Sequence, residues 1–321
     1  MVKRTVLVLL PLMFAASPSA IAQQYPARTV RIVVPFTPGG GTDIVARQMA
    51  AKLTEAFGQQ VVVENRPGAG TVIGSEVVAK SAPDGYTLIL QVNSLAANHT
   101  LYKKLSYDTL RDFLPIVLAA STPNVLVVHP SLPANNLREF IALAKQRPDE
   151  IAYASSGVGG ASYLATEMFK LDTGIKMTHI PYKGTVPALT AMISGETQAM
   201  IAALPGTVPN LKARRLRALA VTSIKRAPAM PELPTVDESG VKGFEFATWY
   251  GLFAPGGTSR DIVTRLNTAI NRILTLPDMK EQFARQGLDP VGGTPEQFAG
   301  YFKAEVEKLG KVIRATGARV E

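Results

Sequence analysis

Short apolar runs alternate along the chain with stretches in which apolar residues recur every three or four positions. The runs are typical of buried strands, and the periodic stretches are typical of amphipathic helices. Over the first third of the chain the pattern predicts strands at 29–36, 61–63 and 86–91, with helices at 43–57 and 74–80. This strand–helix alternation indicates a parallel sheet with helices on its faces.

The same alternation resumes near Pro123. It predicts strands at 125–128, 151–154, 177–180, 198–202 and 216–221, and helices at 137–146, 161–171 and 186–194. A last strand at 249–254 precedes three helical patterns, at 261–274, 279–286 and 295–316. Because one strand cannot form a sheet of its own, we expect these helices to pack on the first sheet.

This organisation predicts an α/β protein with two lobes. We expect one lobe to comprise residues 23–122 plus 247–321 and the other residues 123–246, each a mostly parallel sheet flanked by helices. The chain then crosses twice between the lobes, and a double crossing of this kind forms a hinge.

The first 22 residues have the pattern of a secretory signal peptide. Lys3 and Arg4 give a positive start, residues 5–16 form a short apolar run, and Ala20-Ile21-Ala22 fits the cleavage pattern. The apolar run is too short to span a membrane. We expect export to the periplasm with cleavage after Ala22, into a compartment without a ready supply of ATP or NAD.

The composition narrows the function further. The 321-residue chain is 46% hydrophobic and has no cysteine, so packing alone holds the fold and thiol chemistry is excluded. The formal net charge is +9, but the basic residues are scattered apart from Arg214, Arg215 and Arg217. Because no aromatic residues are interleaved with that cluster, a solvated surface is favoured over nucleic-acid binding. A positive field of this size helps to attract an anionic ligand.

Two glycine-rich junctions between a strand and a helix are the strongest candidate binding elements. The first comprises Phe36, Thr37, Pro38, Gly39, Gly40, Gly41, Thr42 and Asp43, and the second Ser155, Ser156, Gly157, Gly159, Gly160 and Ser162. A helix N-terminus exposes N–H groups that have no intrahelical acceptor, and glycine lets a ligand approach them closely. The two junctions together predict two lobes that hold one anionic ligand.

Further candidates lie at the ends of other predicted strands, the edge at which α/β sheets collect ligands. Asn93 and Ser94 follow one strand, and Tyr182 and Lys183 follow another. Tyr182 is a candidate wall of the pocket, and Lys183 would supply a full positive charge near a carboxylate, although a solvated loop lysine is an equal alternative. Trp249 either lines the cleft or packs at the hinge.

The roles of Thr42 and Asp43 follow from their place at the start of a helix. We expect Thr42 to cap the helix through its hydroxyl. We expect the carboxylate of Asp43 to stay on the helix amides, because a carboxylate that faced the ligand would repel an anion.

Catalysis finds little support. The three histidines, at positions 99, 129 and 179, lack metal-ligand spacing, and G-x-S-x-G, P-loop and dinucleotide motifs are missing. We therefore expect no enzyme activity, no metal and no cofactor. The alternative is an exported serine hydrolase, which requires a histidine within reach of Ser155, Ser156 or Ser162. A sensory binding protein of the same fold is a third reading.

Several motifs spread over the mature chain resemble those of the Bug family, the periplasmic substrate-binding proteins of tripartite tricarboxylate transporters. They are Pro35-Phe36-x-Pro38-Gly39-Gly40-x-x-Asp43, residues 64–70, 83–88, 101–105, 181–184 and 216–222, and Trp249-x-Gly251-Leu252-x-Ala254-Pro255. The resemblance implies a two-lobed Venus flytrap fold of the type II periplasmic-binding kind. It also implies a small carboxylate ligand held by the loops at 36–43 and 155–160, partly through ordered water, and delivery to a two-subunit permease.

One departure from the family concerns the wall of the cleft. Many members have an acidic or amide pair where this chain has Ala202-Ala203. Without those polar groups the wall beside Ala203 is more apolar. We therefore expect a ligand with an apolar or aromatic body beside its carboxylate.

Overall fold

In the computed structural model, residues 25–320 and Val2 are described. Apart from Val2, the leader expected at residues 1–22 and its cleavage site after Ala22 lie outside the described residues. Within the described part, no helix combines the length and the apolar character that a membrane crossing requires.

Ten strands, ten α-helices and one short 3-10 helix, Ala69–Thr71, follow one another along this part of the chain. The strands are β1 Val30–Val34, β2 Val61–Asn65, β3 Thr87–Gln91, β4 Phe113–Val128, β5 Ala152–Ser155, β6 Thr178–Pro181, β7 Ala199–Ala203, β8 Arg217–Val221, β9 Ala247–Pro255 and β10 Asp289–Pro290. The helices are α1 Gly41–Phe57, α2 Val72–Ala79, α3 Asn93–Leu101, α4 Leu137–Gln146, α5 Ala161–Thr173, α6 Thr185–Ile193, α7 Val208–Lys212, α8 Arg260–Thr275, α9 Pro277–Ala284 and α10 Pro295–Thr316.

All of these strands join in one curled sheet flanked by helices. Its order is β2-β1-β3-β9-β4-β7-β5-β6, and β8 and β10 also pair with β4. The outer strands are parallel, with β1 between β2 and β3 on one side and β5 between β6 and β7 on the other. The central pairs, β3 with β9, β9 with β4 and β4 with β7, are antiparallel.

The long strand β4 connects the two halves of the sheet. From Phe113 to Pro123 it pairs with β9, and from Asn124 to Val128 it pairs with β7 and β8. The sequence predicted only 125–128, because Pro115 and Pro123 interrupt the apolar pattern and two register shifts break the alternation along β9. The chain thus passes from one half of the sheet to the other inside a single strand.

The C-terminal helices pack where the sequence predicted, on the half of the sheet that contains β1, β3 and β9. Helix α10 lies against α3 and the sheet, and Phe298 and Phe302 surround the buried ring of Trp249. The indole Nε1 of Trp249 donates to Glu305 Oε2 at 3.1 Å. Trp249 is fully buried, so it belongs to this core and does not line the cleft.

Candidate ligand-binding site

The two glycine-rich junctions meet at the carboxyl ends of β1 and β5. They line a shared cavity of about 30 Å³, called here the inner pocket. Its lining residues are Phe36, Gly40, Gly41, Thr42, Val92, Ser156, Ala161, Ser162, Thr185, Ala203, Thr248 and Tyr250. The two junctions are far apart in sequence and come from different halves of the sheet, so the fold itself assembles the pocket.

The inner pocket offers neutral hydrogen-bond donors. Its hydroxyl groups belong to Thr42, Ser156, Ser162, Thr185, Thr248 and Tyr250, and no lining side chain carries a charge. Helices α1 and α5 both begin there, with Gly40 and Gly160 as N-caps and no side-chain cap at either. Their first N–H groups are therefore available to an anion, in the partial positive field of a helix N-terminus.

The expected cap by Thr42 is wrong. Gly40 is the N-cap of α1 and makes no side-chain cap, because the helix begins at Gly41, earlier than the apolar pattern indicates. Thr42 lies inside the first turn of α1 and lines the inner pocket. The consequence is one more hydroxyl and one more open N–H beside the pocket.

Asp43 stabilises the first junction through hydrogen bonds on the side away from the inner pocket. Its Oδ2 accepts the Gly39 N–H and the Arg47 Nε–H, both at 2.9 Å, and its Oδ1 accepts Asn65 Nδ2–H at 2.9 Å. Burial disfavours the charged form, but these hydrogen bonds outweigh it, and the pKa of Asp43 lies below its usual value. Asp43 does not line the inner pocket, so it does not repel an anion there. The expected role on the helix amides is wrong, because the one backbone N–H that it accepts belongs to Gly39, before the helix.

Replacement of Asp43 by alanine is expected to lower the free energy of unfolding by about 2 kcal/mol, since it removes a buried carboxylate and the hydrogen bonds that this carboxylate accepts from Gly39, Arg47 and Asn65. Chemical denaturation measures this. The matched control is Glu281→Ala, which removes an exposed carboxylate from a pair with Arg285 at the same i, i+4 spacing. We expect the control to unfold like wild type; equal losses in both variants would contradict the buried role of Asp43.

Ser156 and Ser162 form the pocket side of the second junction. The Ser156 N–H donates to Ser162 Oγ at 2.8 Å, and the two hydroxyl oxygens are 2.9 Å apart. Gly160 packs so closely that a Cβ there would lie 2.5 Å from Ser156 Oγ, and Gly159 has a φ of +78°. Glycine is required at both positions to bring these hydroxyls to the start of α5.

Ser155 points away from the pocket. It is fully buried, its Oγ lies 2.6 Å from His179 Nε2, and it accepts the Gly157 N–H at 3.1 Å. A histidine is therefore within reach of Ser155, as the hydrolase alternative requires. However, Ser155 does not line the inner pocket, and among the described residues no carboxylate accepts a hydrogen bond from His179.

The imidazole of His179 is neutral at pH 7. It lies between the rings of Tyr153 and Tyr163, and burial lowers its pKa to about 4; Glu167 opposes this shift and Lys170 adds to it. Because unfolded histidine titrates near 6.5, the unfolded state binds more protons between these values. Stability that is complete above pH 6.5 therefore falls as the pH drops towards 4.

This linkage is expected to appear as a difference between wild type and His179→Gln. Urea unfolding at pH 7 and at pH 4.5 gives the loss of stability on acidification for each protein. Wild type should lose more than the variant, because the carboxylates titrate in both proteins and only wild type must keep an imidazole uncharged. An equal loss would mean that His179 titrates normally in the fold.

Ser94 and its neighbour Asn93 stabilise the base of the cleft and do not line it. Ser94 is fully buried and donates to Gln91 Oε1 at 3.2 Å. Asn93 Nδ2–H donates to the Ala247 carbonyl at 3.1 Å. Asn93 thus anchors the start of β9, which follows the second crossing between the halves of the sheet, and Ser94 bonds to the end of β3.

A second cavity, called here the outer cavity, adjoins the inner pocket and measures about 270 Å³. Phe36 and Ser156 line both. Gly157, Tyr182 and Lys183 line the outer cavity alone, and the Tyr182 hydroxyl donates to Glu196 Oε1 at 2.8 Å. Lys183 therefore places its charge at the outer cavity, and the inner pocket keeps only neutral groups.

The rest of the first junction lies at the rim, where the two halves of the molecule touch. Pro38 and Gly39 are exposed, and a Cβ on Gly39 would lie 3.5 Å from the Val186 side chain. Thr37 packs against Gly184, where a Cβ would lie 2.4 Å from Thr37 Oγ1. The sequence analysis assigned all of these residues to one ligand site. The structure distributes them over the inner pocket, the outer cavity and this rim.

Sequence reasoning missed pocket residues on other elements. They are Val92, Thr185, Thr248 and Tyr250. Thr248 and Tyr250 are two apart on the strand that contains Trp249, so they share the face opposite to it. That alternation was the available signal, since the buried tryptophan fixes which face turns to the core.

Other concave surfaces lie away from the strand ends. A groove of about 580 Å³ runs between α1 and α8, and another of about 590 Å³ lies beside α4 and residues 239–242. Neither includes a residue of the glycine-rich junctions. In the described part of the chain, no group of three or more His, Asp or Glu side chains is placed to hold a metal ion.

Comparison with known proteins identifies the family. The family model described as the tripartite tricarboxylate transporter family receptor matches residues 45–318. This chain belongs to that receptor family. BugT of Bordetella pertussis is 41% identical to the receptor over 302 residues, which cover 94% of this chain and 93% of BugT. The expected membership of the Bug family is confirmed.

Solved structures agree with the fold of the receptor. The periplasmic binding protein BugD has a TM-score of 0.89 at 35% identity, covering 92% of this chain and 100% of BugD. Rpa4515 of R. palustris, solved with adipate, has a TM-score of 0.90 at 40% identity, again covering 92% and 100%. The α/β fold of a periplasmic binding protein, expected from the sequence, is confirmed.

Proposed function

We propose that this receptor captures a small organic carboxylate in the inner pocket and delivers it to a membrane permease of two subunits. One observation carries the proposal: the N-termini of α1 and α5 open onto one pocket whose side-chain donors are all neutral. Neutral hydroxyls and backbone N–H groups form charge-assisted hydrogen bonds with a carboxylate. They also leave the anion free to depart, because no buried counter-ion retains it.

The cavities indicate how a whole acid is held. The inner pocket has room for only a few atoms, so it receives a carboxylate group, and the body of the ligand extends into the outer cavity. Phe36, Val158 and Tyr182 supply apolar contacts for that body in the outer cavity. Val92 and Ala203 are apolar contacts of the inner pocket, where the body joins its carboxylate. Ala202 is fully buried and faces the core, so Ala203 alone forms the apolar wall expected from the sequence. Adipate, seen with Rpa4515, has this shape.

Lobe closure completes the site. The proposed lobes are residues 23–122 with 247–321, and 123–246; the chain crosses between them inside β4 at Pro123 and Asn124 and again before β9. Since each glycine-rich junction belongs to a different lobe, both touch the ligand only when the lobes are together. Binding therefore selects the closed form.

Export and the absence of catalysis complete the proposal. The leader at 1–22, cut after Ala22, would place the receptor in the periplasm, where BugD also works. We propose no enzymatic activity, because Ser155 is fully buried and neither Ser155 nor His179 lines the inner pocket or the outer cavity. A sensory role with the same ligand differs only in the partner.

A thermal-shift screen tests the proposed function. The purified mature chain would be heated with adipate, succinate, malate, citrate and benzoate at neutral pH. A ligand that binds only the folded state raises the melting temperature, by an amount that grows with its concentration over Kd. We expect adipate to raise it more than citrate does. If no carboxylate raises it, the proposal is wrong; if citrate exceeds the others, the apolar wall does not select the ligand.

A further inference from the structure

We propose that His179 is a positioning residue for ligand binding: through the Ser155 hydroxyl it holds the Gly157 N–H and thereby the backbone of the second junction. The inference rests on the proposed function of the inner pocket. His179 itself lines neither cavity, so it acts without touching the ligand.

The relay, as we call the two hydrogen bonds that join Gly157, Ser155 and His179, has a fixed donor–acceptor direction. Ser155 Oγ accepts the Gly157 N–H at 3.1 Å and lies 2.6 Å from His179 Nε2. Ser155 is fully buried, and its hydroxyl hydrogen has no other acceptor among the described residues. The hydroxyl must therefore donate to His179 Nε2, which assigns the imidazole proton to Nδ1. Burial keeps the ring neutral, as an acceptor requires.

The relay reaches the pocket at the adjacent residues. Gly157 has a φ of +117°, and its carbonyl accepts the Gly160 N–H at 3.0 Å, next to the first turn of α5. Ser156, between the two bonded residues, turns its hydroxyl to the pocket and to Ser162. Losing the acceptor on His179 would leave the buried Ser155 hydroxyl unsatisfied and release Gly157 to move.

The surroundings of His179 hold its Nε2 in place. Its ring stacks on Tyr153 at 4.8 Å between centroids and packs against Tyr163 at 4.9 Å. Tyr153 in turn donates to Glu167 Oε1 at 2.5 Å, and the same oxygen accepts Lys170 Nζ–H at 2.8 Å. Two strands and α5 thus aim one ring nitrogen at the junction, which a packing role would not require.

Two substitutions separate positioning from packing. His179→Phe keeps a planar ring between the tyrosines and removes the acceptor, whereas His179→Gln keeps a carbonyl acceptor near the position of Nε2 and removes the ring. Positioning predicts that Phe weakens adipate binding about tenfold and that Gln retains most of the affinity. Packing alone predicts the reverse order. Calorimetry gives Kd, and melting temperatures of the ligand-free proteins report packing separately.

Hydrogen exchange of the ligand-free proteins decides the inference without any ligand. In peptides covering residues 154–160, the Gly157 amide should exchange at least about tenfold faster in His179→Phe and in Ser155→Ala than in wild type. The double variant should exchange no faster than Ser155→Ala. Unchanged exchange in His179→Phe would overturn the inference. If exchange changes as expected but wild type does not bind adipate, the choice of ligand fails and the relay stands.

Discussion

Gly40→Asp is expected to weaken carboxylate binding by at least about 100-fold while the ligand-free protein stays as stable as wild type. Gly40 lines the inner pocket at the N-cap of α1, with an ordinary φ of −80°. A Cβ there would lie 3.8 Å from Thr185, an ordinary van der Waals contact, so the backbone accepts a side chain at this position. Aspartate is a favourable N-cap, but its carboxylate would occupy the N–H groups meant for the ligand and repel an anion.

Gly40→Asn is the matched control for this variant. It has the same size and also caps a helix, but it carries no charge. Calorimetry with the best acid of the thermal-shift screen should rank the affinities as wild type, then Asn, then Asp. Wild-type affinity in the Asp variant would remove the first junction from the site. Equal losses in Asn and Asp would show that volume, not charge, decides.

Gly184→Ala is expected to weaken ligand binding strongly, because it destabilises the closed form of the receptor. The added methyl group does not contact the ligand. At the rim Gly184 faces Thr37 of the other half, where an added Cβ would lie 2.4 Å from the threonine hydroxyl and 3.3 Å from its backbone nitrogen. The methyl group forces the halves apart there, so closure costs more free energy. Small-angle X-ray scattering with saturating acid should show a larger radius of gyration than in wild type.

Two controls isolate the contact from backbone strain. Gly184 has a φ of +141°, which alanine tolerates poorly, so some loss of stability is expected regardless. Gly174→Ala also places alanine at a positive φ, +69°, with the milder strain of the left-handed region, and its Cβ meets no atom within 4 Å. It should lower the melting temperature and leave Kd unchanged. Thr37→Ala combined with Gly184→Ala should recover part of the affinity; no recovery would place the loss elsewhere.

Local patterns predicted the elements that depend on local interactions. Helix α10 runs over Pro295–Thr316 as predicted, because a capping box of Thr294 and Gln297 starts it and Gly317 ends it in the left-handed conformation. The two glycine-rich junctions were also visible, since the positive φ of Gly39 and Gly159 belongs to the turns themselves. Both turns need glycine whatever the rest of the chain does.

Elements that depend on distant partners were missed. Helix α3 lacks an apolar stripe because its polar residues Asn93, Ser94 and Asn98 are all buried and hydrogen bonded inside the protein. The first half of β4 is defined by its pairing with β9, which begins more than a hundred residues later. The spacing of apolar residues in a single sequence does not indicate such distant contacts, so it predicts neither element.

The candidate site was predicted at the level of loops and not of side chains. Ser155 and Ser156 were both assigned to the ligand, but neighbours at a strand end point to opposite faces. Ser156 lines the pocket and Ser155 bonds to His179 behind it. Asp43 and Ser94 likewise support the pocket from outside. Which side of a loop faces the ligand is set by the packing behind it.

A crystal structure of the receptor with the acid that most raises its melting temperature tests the central claim most directly. We expect one carboxylate group to lie within hydrogen-bond distance, about 3 Å or through one water, of donors at both 40–42 and 156–162. An acid bound outside the inner pocket, or held by only one of the two junctions, would contradict the account.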